Sequence, residues 1–299
     1  MGNRNKELLK ACENNNIKGA RDCFNSIRNE LFPNRDAADI NCRDSSGSTP
    51  LIVAAMRGHR ALVQFLLAQG ADPQAKNNAG VNAFMYAANV GNKNIMADLL
   101  AKNVKIDETD DNGDNALIYA ARNEQSEAVA FLLGKNALVN EKSNEGMTAL
   151  MHTAKNGDIV SIQALLDKKA EVDARDNDGM TALMHAAYRE KLPAVETILP
   201  ANPRTDFKTK NGKAIEELTS TDEIKKLIKE YDEKKAAGAT SASAVRESFF
   251  TAAARDVVTV QTPFPAPQPY EFGKKGDAAP EQDNGTNPAA QKSPKEFGL

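Results

Sequence analysis

Residues 146–187 read GMTALMHTAKNGDIVSIQALLDKKAEVDARDNDGMTALMHAA, and the string GMTALMH that opens this stretch returns 33 residues later. Related strings, among them STPLIVAA, VNAFMYAA and DNALIYAA, recur at the same interval towards the N-terminus. The interval is kept by glycines that each lie 33 residues from the next: Gly47, Gly80, Gly113, Gly146, Gly179 and Gly212. A period kept this strictly is typical of a protein built from stacked repeats.

One repeat unit has the pattern of two short helices joined by a tight turn. Leu183 and Ala187 are four residues apart in TALMHAA, which places them on one face of a first helix. In IVSIQALLDKK the apolar stripe of a second helix is formed by Ile159, Ile162, Leu165 and Leu166. Between the helices Gly157, like Gly58 and Gly91 before it, suits a left-handed turn residue. Since two short helices cannot bury both faces alone, neighbouring units must stack into an all-α solenoid.

The string that starts at Ser48, STPLIVAAMRGHRALVQFLLAQGADPQAK, resembles the ankyrin-repeat consensus over nearly its whole length. The resemblance extends over about residues 1–235 and implies an ankyrin-repeat solenoid of about seven helix pairs, terminal caps included, with short finger turns between them. Asn82 and Asn115 replace the usual Thr at a helix start, where Asn still caps. Pro193 lies inside a second helix, which we therefore expect to be short or irregular.

Both ends of the array differ from its middle. Residues 6–28 have the pattern of a first helix pair, and about ten extra residues around NELFPNRDA follow them. At the other end, KAIEELTSTDEIKKLIKEYDEKK carries Lys and Glu where inner repeats carry Ala, as the exposed face of a terminal repeat requires. Residues 236–299 form a Pro-, Gly- and Ala-rich tail whose composition predicts disorder, except for a candidate amphipathic helix at 245–260 that contains Phe249 and Phe250.

Composition and charge narrow the classes of function. The formal net charge of -3 argues against a dedicated nucleic-acid or anionic-membrane surface, so we expect no nucleic-acid partner and no membrane partner. Cys12, Cys23 and Cys42 are odd in number and are not spaced as CxxC, which disfavours a disulfide framework or a zinc site. Free thiols favour a reducing compartment, and we expect a cytoplasmic location.

The candidate metal-binding residues in the sequence do not have the spacing or the residue types that a metal site requires. His152 and His185 are 33 residues apart and share one repeat position with Val53, Tyr86 and Tyr119. Adjacent repeats stack about 10 Å apart, so two histidines make a poor metal site, and we expect this column to pack or to line a groove. The loops DETDDNG and DARDNDG lack the glutamate of a calcium loop. Without a phosphate-binding glycine motif or a nucleophile elbow, the sequence predicts no cofactor, no metal and no enzymatic activity.

One loop is strongly acidic and carries five carboxylates within eight residues: Asp107, Glu108, Asp110, Asp111 and Asp114. Two interpretations are open at this stage. The first is a solvated loop without a specific role. The second is an acidic docking patch for a basic segment of a partner.

The ankyrin resemblance implies protein recognition, without catalysis, by a concave surface made of the fingers and the inner helices. By the family's pattern, the partner-facing positions are finger residues and the two residues that follow each Ala-Ala pair. The candidates are Met56, Arg57, Asn89, Asp110, Asp111, Asp114, Arg122, Met147, Lys155, Met180, Tyr188 and Arg189, with Phe249 and Phe250 from the tail. Among them, Met147, Met180 and Tyr188 are expected to be exposed apolar anchors.

Two functions fit these features. The first is an adaptor, scaffold or inhibitor that binds a protein partner of unspecified identity and is monomeric when free. The second is a regulatory subunit of an enzyme complex, in which the C-terminal tail docks on a catalytic partner or on the array itself.

Overall fold

The protein is helical throughout the part that the computed structural model describes, which comprises residues 3–24 and 38–237. In chain order the elements are α1 (Asn3–Glu13), α2 (Ile17–Asp22), α3 (Pro50–Met56), α4 (Arg60–Ala68), α5 (Ala83–Asn89), α6 (Lys93–Leu100), α7 (Ala116–Arg122), α8 (Ser126–Gly134), α9 (Ala149–Asn156), α10 (Ile159–Asp167), α11 (Ala182–Tyr188), α12 (Leu192–Ile198), the 3-10 turns Leu199–Ala201 and Ile215–Glu217, and α13 (Asp222–Ala236). Within these residues β-structure is limited to isolated bridges. The all-α prediction is confirmed.

The helices form pairs that follow the 33-residue period of the sequence. In each pair the first, inner helix packs against the inner helices of adjoining repeats, and the second, outer helix packs against outer helices. The pairs are α1 with α2, α3 with α4, α5 with α6, α7 with α8, α9 with α10, and α11 with α12. After them, the 3-10 turn at Ile215–Glu217 takes the place of a further inner helix in front of α13.

Each inner helix from α3 to α11 starts at a side chain that caps it. The side-chain oxygen accepts a hydrogen bond from the backbone N–H three residues on, which has no acceptor within the helix. The caps are Thr49, Asn82, Asn115, Thr148 and Thr181. Asn82 Oδ1 accepts from the Met85 N–H at 2.9 Å, and Asn115 Oδ1 accepts from the Ile118 N–H at 2.9 Å, so the predicted Asn caps are confirmed.

A residue with positive φ joins each of these inner helices to its outer helix. Gly58, Gly91 and Gly157 have φ values of 73°, 71° and 84°, as the turn was predicted to require. Glu124 and Glu190 stand at the same repeat position with φ values of 57° and 56°. A left-handed conformation costs a residue with a side chain roughly 1–2 kcal/mol. The packing of the two helices therefore imposes this turn even where the local sequence opposes it.

A continuous layer of apolar side chains lies between the inner and the outer helices. On the inner helices one fully buried position per repeat is occupied by Leu51, Phe84, Leu117, Leu150 and Leu183. The corresponding position on the outer helices is occupied by Leu66, Leu99, Leu132, Leu165 and Ile198. Burial of each such side chain contributes roughly 1.5–3 kcal/mol. Since each repeat contacts only its neighbours, stability accumulates along the array.

The C-terminal end of the array is less regular than its middle. Pro193 lies in the first turn of α12, which is only seven residues long and continues as a 3-10 turn, so the prediction of a short, irregular helix is confirmed. The last helix, α13, buries Ile224, Ile228 and Tyr231 and carries Lys and Glu on its other positions. This arrangement closes the apolar layer with a polar outer face, as a terminal repeat requires.

Some of the expectations from sequence concern residues that the structure does not describe. The extra segment around NELFPNRDA falls largely in residues 25–37, outside the described part of the chain. The tail beyond residue 237, with the candidate helix at 245–260 and with Phe249 and Phe250, also lies outside it. No helix in residues 3–24 or 38–237 is both long and apolar enough to span a membrane.

Candidate functional site

The fingers are five-residue turns that precede the inner helices and share one internal hydrogen-bond pattern. They comprise residues 44–48, 77–81, 110–114, 143–147, 176–180 and 209–213. In each, the first side chain accepts a backbone N–H from within the turn: Asp44, Asn77, Asp110, Ser143, Asp176 and Thr209. A polar side chain that bonds its own backbone in this way holds a turn in a defined shape. The first residue of a finger therefore has a structural role.

Hydrogen bonds between neighbouring fingers join them into one row. The N–H of each second finger residue donates to the backbone oxygen of the preceding finger, over 2.8 to 3.1 Å. The donor and acceptor pairs are Asn78 with Ser46, Asp111 with Ala79, Asn144 with Asn112, Asn177 with Glu145, and Lys210 with Asp178. A surface held this firmly loses little conformational entropy when it binds a partner.

A column of ring side chains on the inner helices connects each helix to its own finger. The Tyr119 hydroxyl donates to Asp110 Oδ2 at 2.8 Å, and His185 Nε2 lies 2.7 Å from Asp176 Oδ2. Asn77 Nδ2 donates to the Tyr86 hydroxyl at 3.4 Å. These contacts give the rings of Tyr86, Tyr119 and His185 a structural role, in which each ring is hydrogen-bonded to the first residue of its own finger. Among the residues that the structure describes, no group of three or more His, Cys, Asp or Glu side chains is placed to hold a metal ion.

His152 departs from the pattern of the ring column. Its finger begins with Ser143, whose hydroxyl accepts from the Met147 N–H at 3.2 Å and makes no bond to the ring. The side chain is 7 % exposed, and Nε2 is buried without a hydrogen-bond partner. Burial, followed by the nearby positive charges of Arg122 and Lys155, lowers the pKa of His152 to about 3. The imidazole is therefore neutral at physiological pH.

His185 is held differently, although the direction of its pKa shift is the same. Burial lowers its pKa below the usual histidine value, and the hydrogen bond to Asp176 opposes that shift. A carboxylate that accepts from an imidazole favours the charged ring, whereas a low-polarity environment disfavours it. The two histidines thus share a repeat position, but only His185 has a hydrogen-bond acceptor.

The acidic loop is not a patch of five free carboxylates. Asp110 is 6 % exposed and Asp114 is 1 % exposed, because Asp110 bonds its own finger and the Tyr119 hydroxyl while Asp114 pairs with Arg122. Burial raises the pKa of Asp114, and the hydrogen bond from Arg122 opposes that shift. Both sequence interpretations assumed exposure, and for these two residues that assumption is wrong.

Two of the other three acids of this loop, Glu108 and Asp107, also have polar partners. Glu108 Oε2 lies 2.9 Å from Lys76 Nζ, and these contacts lower the pKa of the Glu108 carboxyl. Asp107 Oδ1 accepts from the Leu138 N–H at 2.8 Å. Asp111 alone is exposed at a fingertip without an ion pair among the described residues.

Of the three residues expected to be exposed apolar anchors, one is exposed to solvent. Tyr188 is 56 % exposed at the end of α11, with the Arg189 guanidinium carbon 5.8 Å from its ring centroid. Met180 is half-buried against the apolar core. Met147 is only 5 % exposed, so its assignment as an exposed anchor is wrong. Val81, at the same repeat position, is buried as well.

The C-terminal ends of the inner helices form the second edge of this face. Arg57, Arg122 and Arg189 are exposed there, while Met56, Asn89 and Lys155 are half-buried: these six were predicted partner-facing positions. The Asn123 side-chain amide donates to Asn89 Oδ1 at 2.7 Å, so neighbouring helix ends are connected as the fingers are. We call the fingers and these helix ends together the finger face.

The finger face keeps several charges without partners. Fingertip carboxylates of Asp111, Glu145 and Asp178 are exposed, and no ion pair holds them within the described part of the chain. At the helix ends, Lys155 and Arg189 likewise have no ion pair there. The face therefore offers unpaired acids on its finger edge and unpaired cations on its helix edge. The sequence analysis did not predict that the His152 ring lacks a hydrogen-bond partner. The signal is present in the sequence: position 143 is Ser, whereas the equivalent position one repeat later is Asp176.

The repeat geometry agrees with comparisons to known proteins. A family model described as ankyrin repeats matches the chain in three copies, over residues 7–77, 59–143 and 136–211. Among solved structures, the ankyrin repeat domain of Bcl-3, described as a unique member of the IkappaB protein family, is similar with a TM-score of 0.61 and 21% sequence identity. The match covers 75% of this chain and 97% of that chain, and at this identity it shows the fold alone. No curated protein matches the sequence significantly.

Proposed function

The chain belongs to the ankyrin-repeat family, and we propose that it acts as an adaptor, scaffold or inhibitor that binds a partner protein through the finger face. Ankyrin repeats are a protein-interaction fold that is typically non-enzymatic. The observation that carries the proposal is the combination of a rigid row of fingers with side chains on the same face that have no partner among residues 3–24 and 38–237. Such a surface is preorganised for binding and has polar groups to satisfy.

Tyr188 and Arg189 are the strongest candidates for the centre of the contact. Tyrosine and arginine are enriched among residues that dominate binding energy, because each combines apolar area with directional polar groups. Tyr188 exposes its ring beside the Arg189 guanidinium, and neither side chain has a hydrogen bond in the described part of the chain. A partner that covers this pair removes apolar surface from water and orders a cation over an aromatic ring.

The test begins with affinity purification of the full chain from its native source, followed by mass spectrometry to identify bound proteins. Tyr188→Ala should weaken binding of the identified partner by more than about 1 kcal/mol and leave the melting temperature nearly unchanged, since the side chain is exposed. Val160→Ala is the matched control, because Val160 is an exposed apolar residue of the outer helix α10. A larger loss of binding in the control would assign the partner to the other face.

The alternative function, a regulatory subunit whose tail docks on a catalytic partner or on the array, depends on residues 236–299. That segment falls almost entirely outside the described residues, so this alternative stays a hypothesis. Purification of the chain with and without the tail distinguishes the two. If the partner co-purifies with the full chain but not with the chain that lacks the tail, the result favours the regulatory-subunit function.

A further inference from the structure

Two adjacent repeats of this chain differ in the hydrogen bonding of the histidine on the inner helix. In one, His185 Nε2 lies 2.7 Å from a carboxylate oxygen of Asp176, the first residue of its finger. In the preceding repeat, the equivalent ring is His152 and the first finger residue is Ser143. The shorter serine side chain bonds only to the Met147 N–H, and His152 Nε2 has no partner. The repeat with His152 therefore lacks the carboxylate that its neighbour provides.

The charges around His152 favour an anion in that place. After burial, the positive charges of Arg122 and Lys155 are the largest causes that lower the pKa of His152, and the ring of His185 adds to them. Arg122 is already paired with Asp114, whereas Lys155 has no ion pair within the residues that the structure describes. A negatively charged acceptor at this point would take a hydrogen bond from the ring and pair with the ammonium group.

We propose that the notch formed by Ser143, His152 and Lys155 receives the carboxylate of an aspartate or glutamate side chain from the partner protein. The carboxylate takes the place that Asp176 has beside His185. This inference rests on the proposed function, since it assumes that the finger face is the binding face. A buried polar group without a hydrogen bond destabilises the free protein, and the arriving carboxylate removes that cost.

We place the approach of the carboxylate on the side of Lys155. His152 Nε2 is covered in the free protein, and the half-buried Lys155 side chain three residues on has no ion pair to keep it in place. In the proposed complex, the Lys155 ammonium group contacts the carboxylate that reaches the His152 ring. The fingertip acids Glu145 and Asp178 lie on the same face and favour basic residues on either side of that acidic residue.

The experiment is a selection of 12-residue peptides from a random display library on the immobilised full chain. We expect the selected peptides to share one Asp or Glu position. A synthetic copy with that residue changed to Asn or Gln should bind on the order of tenfold more weakly, as the loss of a charge-assisted hydrogen bond predicts. A copy with phosphoserine at the same position, and inorganic phosphate as a competitor, show whether the notch prefers a carboxylate or accepts any anion. Preference for phosphate would overturn the assignment.

Ser143→Asp is the decisive variant, because it supplies the carboxylate from within the chain, as at Asp176. This variant should fold at least as stably as the natural protein. It should bind the acidic peptide on the order of tenfold more weakly, and its affinity for the copy with Asn or Gln at that position should be unchanged. Gln163→Glu is the matched control, because it adds the same charge on the exposed outer helix α10 of the same repeat, away from the notch, and it should retain the preference for the acidic peptide. Lys155→Gln provides a second variant, which should lose the same preference without filling the notch.

Nuclear magnetic resonance of the histidine rings provides a direct readout. The acidic peptide should shift the His152 ring signals and leave those of His185 nearly unchanged. Selected peptides without a shared acid, or equal binding to Ser143→Asp, would overturn this inference and leave the proposed function standing. Peptides whose binding is insensitive to Tyr188→Ala, or failure to select any peptide, would count against both.

Discussion

Two halves of the repeat array use the same backbone with different polar side chains. The repeats of α5 and α7 have Asn at the helix cap and Tyr in the ring column, whereas those of α9 and α11 have Thr at the cap and His in the column. Their buried apolar positions are equivalent, and Leu117 and Leu150 are both fully buried. The comparison teaches that the apolar layer is the same in both, while the polar column differs in the groups that can change charge with pH.

The chemistry of the ring explains the difference in response. Burial, followed by the hydrogen bond to Asp110, raises the pKa of Tyr119, so this ring stays neutral from acidic to physiological pH. Burial lowers the pKa of both His152 and His185, so each ring takes up a proton less readily in the folded protein than in the unfolded chain. Among the rings of this column, only the histidines therefore carry a penalty that grows as the pH falls.

The largest expected effect should not distinguish the two halves. Leu117→Ala and Leu150→Ala each remove a buried side chain from the inner-helix layer, and each should lower the free energy of unfolding by about 2–5 kcal/mol. Denaturant unfolding followed by circular dichroism measures both. A difference of more than about 2 kcal/mol between the two variants would show that the apolar layer is not equivalent along the array.

The titration of the column rings should make stability depend on pH in the histidine repeats and not in the tyrosine repeats. Between the pKa of about 3 for His152 and the value of about 6.5 for an unfolded histidine, the unfolded chain binds a proton that the folded chain does not. The stability contributed by the neutral ring is thus complete above about pH 6.5 and is lost as the pH falls towards 3, by up to about 1.4 kcal/mol per pH unit.

His152→Gln removes this titration and should therefore flatten the fall in stability between pH 6.5 and 5, with denaturant midpoints as the measurement. Tyr119→Phe is the control, since Tyr119 does not change charge in this range. His185 should contribute in the same direction as His152, because its pKa is also lowered. An unchanged slope in His152→Gln would mean that the ring is charged in the folded protein.

The caps provide the smallest expected difference. Asn82 Nδ2 and Asn115 Nδ2 are buried without a partner, because the cap uses only the side-chain oxygen. Asn115→Thr keeps an oxygen at the cap and removes the unpaired amide, so it should stabilise the protein by about 1 kcal/mol. Thr181→Asn is the reverse change and should destabilise by a similar amount. Thermal unfolding of both variants checks the sign, and a loss of stability in Asn115→Thr would contradict the argument.

Much of the fold follows from the sequence because its causes are local and periodic. The 33-residue spacing, the apolar stripes and the capping residues predict the helix pairs, and Pro193 predicts the short α12. The binding face is less predictable, since exposure depends on which way a side chain turns between two packed helices. Met147 and Asp114 occupy finger positions that the family's pattern marks as partner-facing, yet both are buried.

By itself, the sequence determined the repeat, the all-α class and the caps at Asn82 and Asn115, because helix periodicity and capping act over a few residues. Only the tertiary structure decided that Asp110 serves its own finger, that Asp114 pairs with Arg122, and that His152 has no acceptor. Those outcomes depend on contacts between a finger and a helix eight or nine residues further on. A difference of one side chain, Ser143 for Asp, changes such a contact without changing the period that defines the fold.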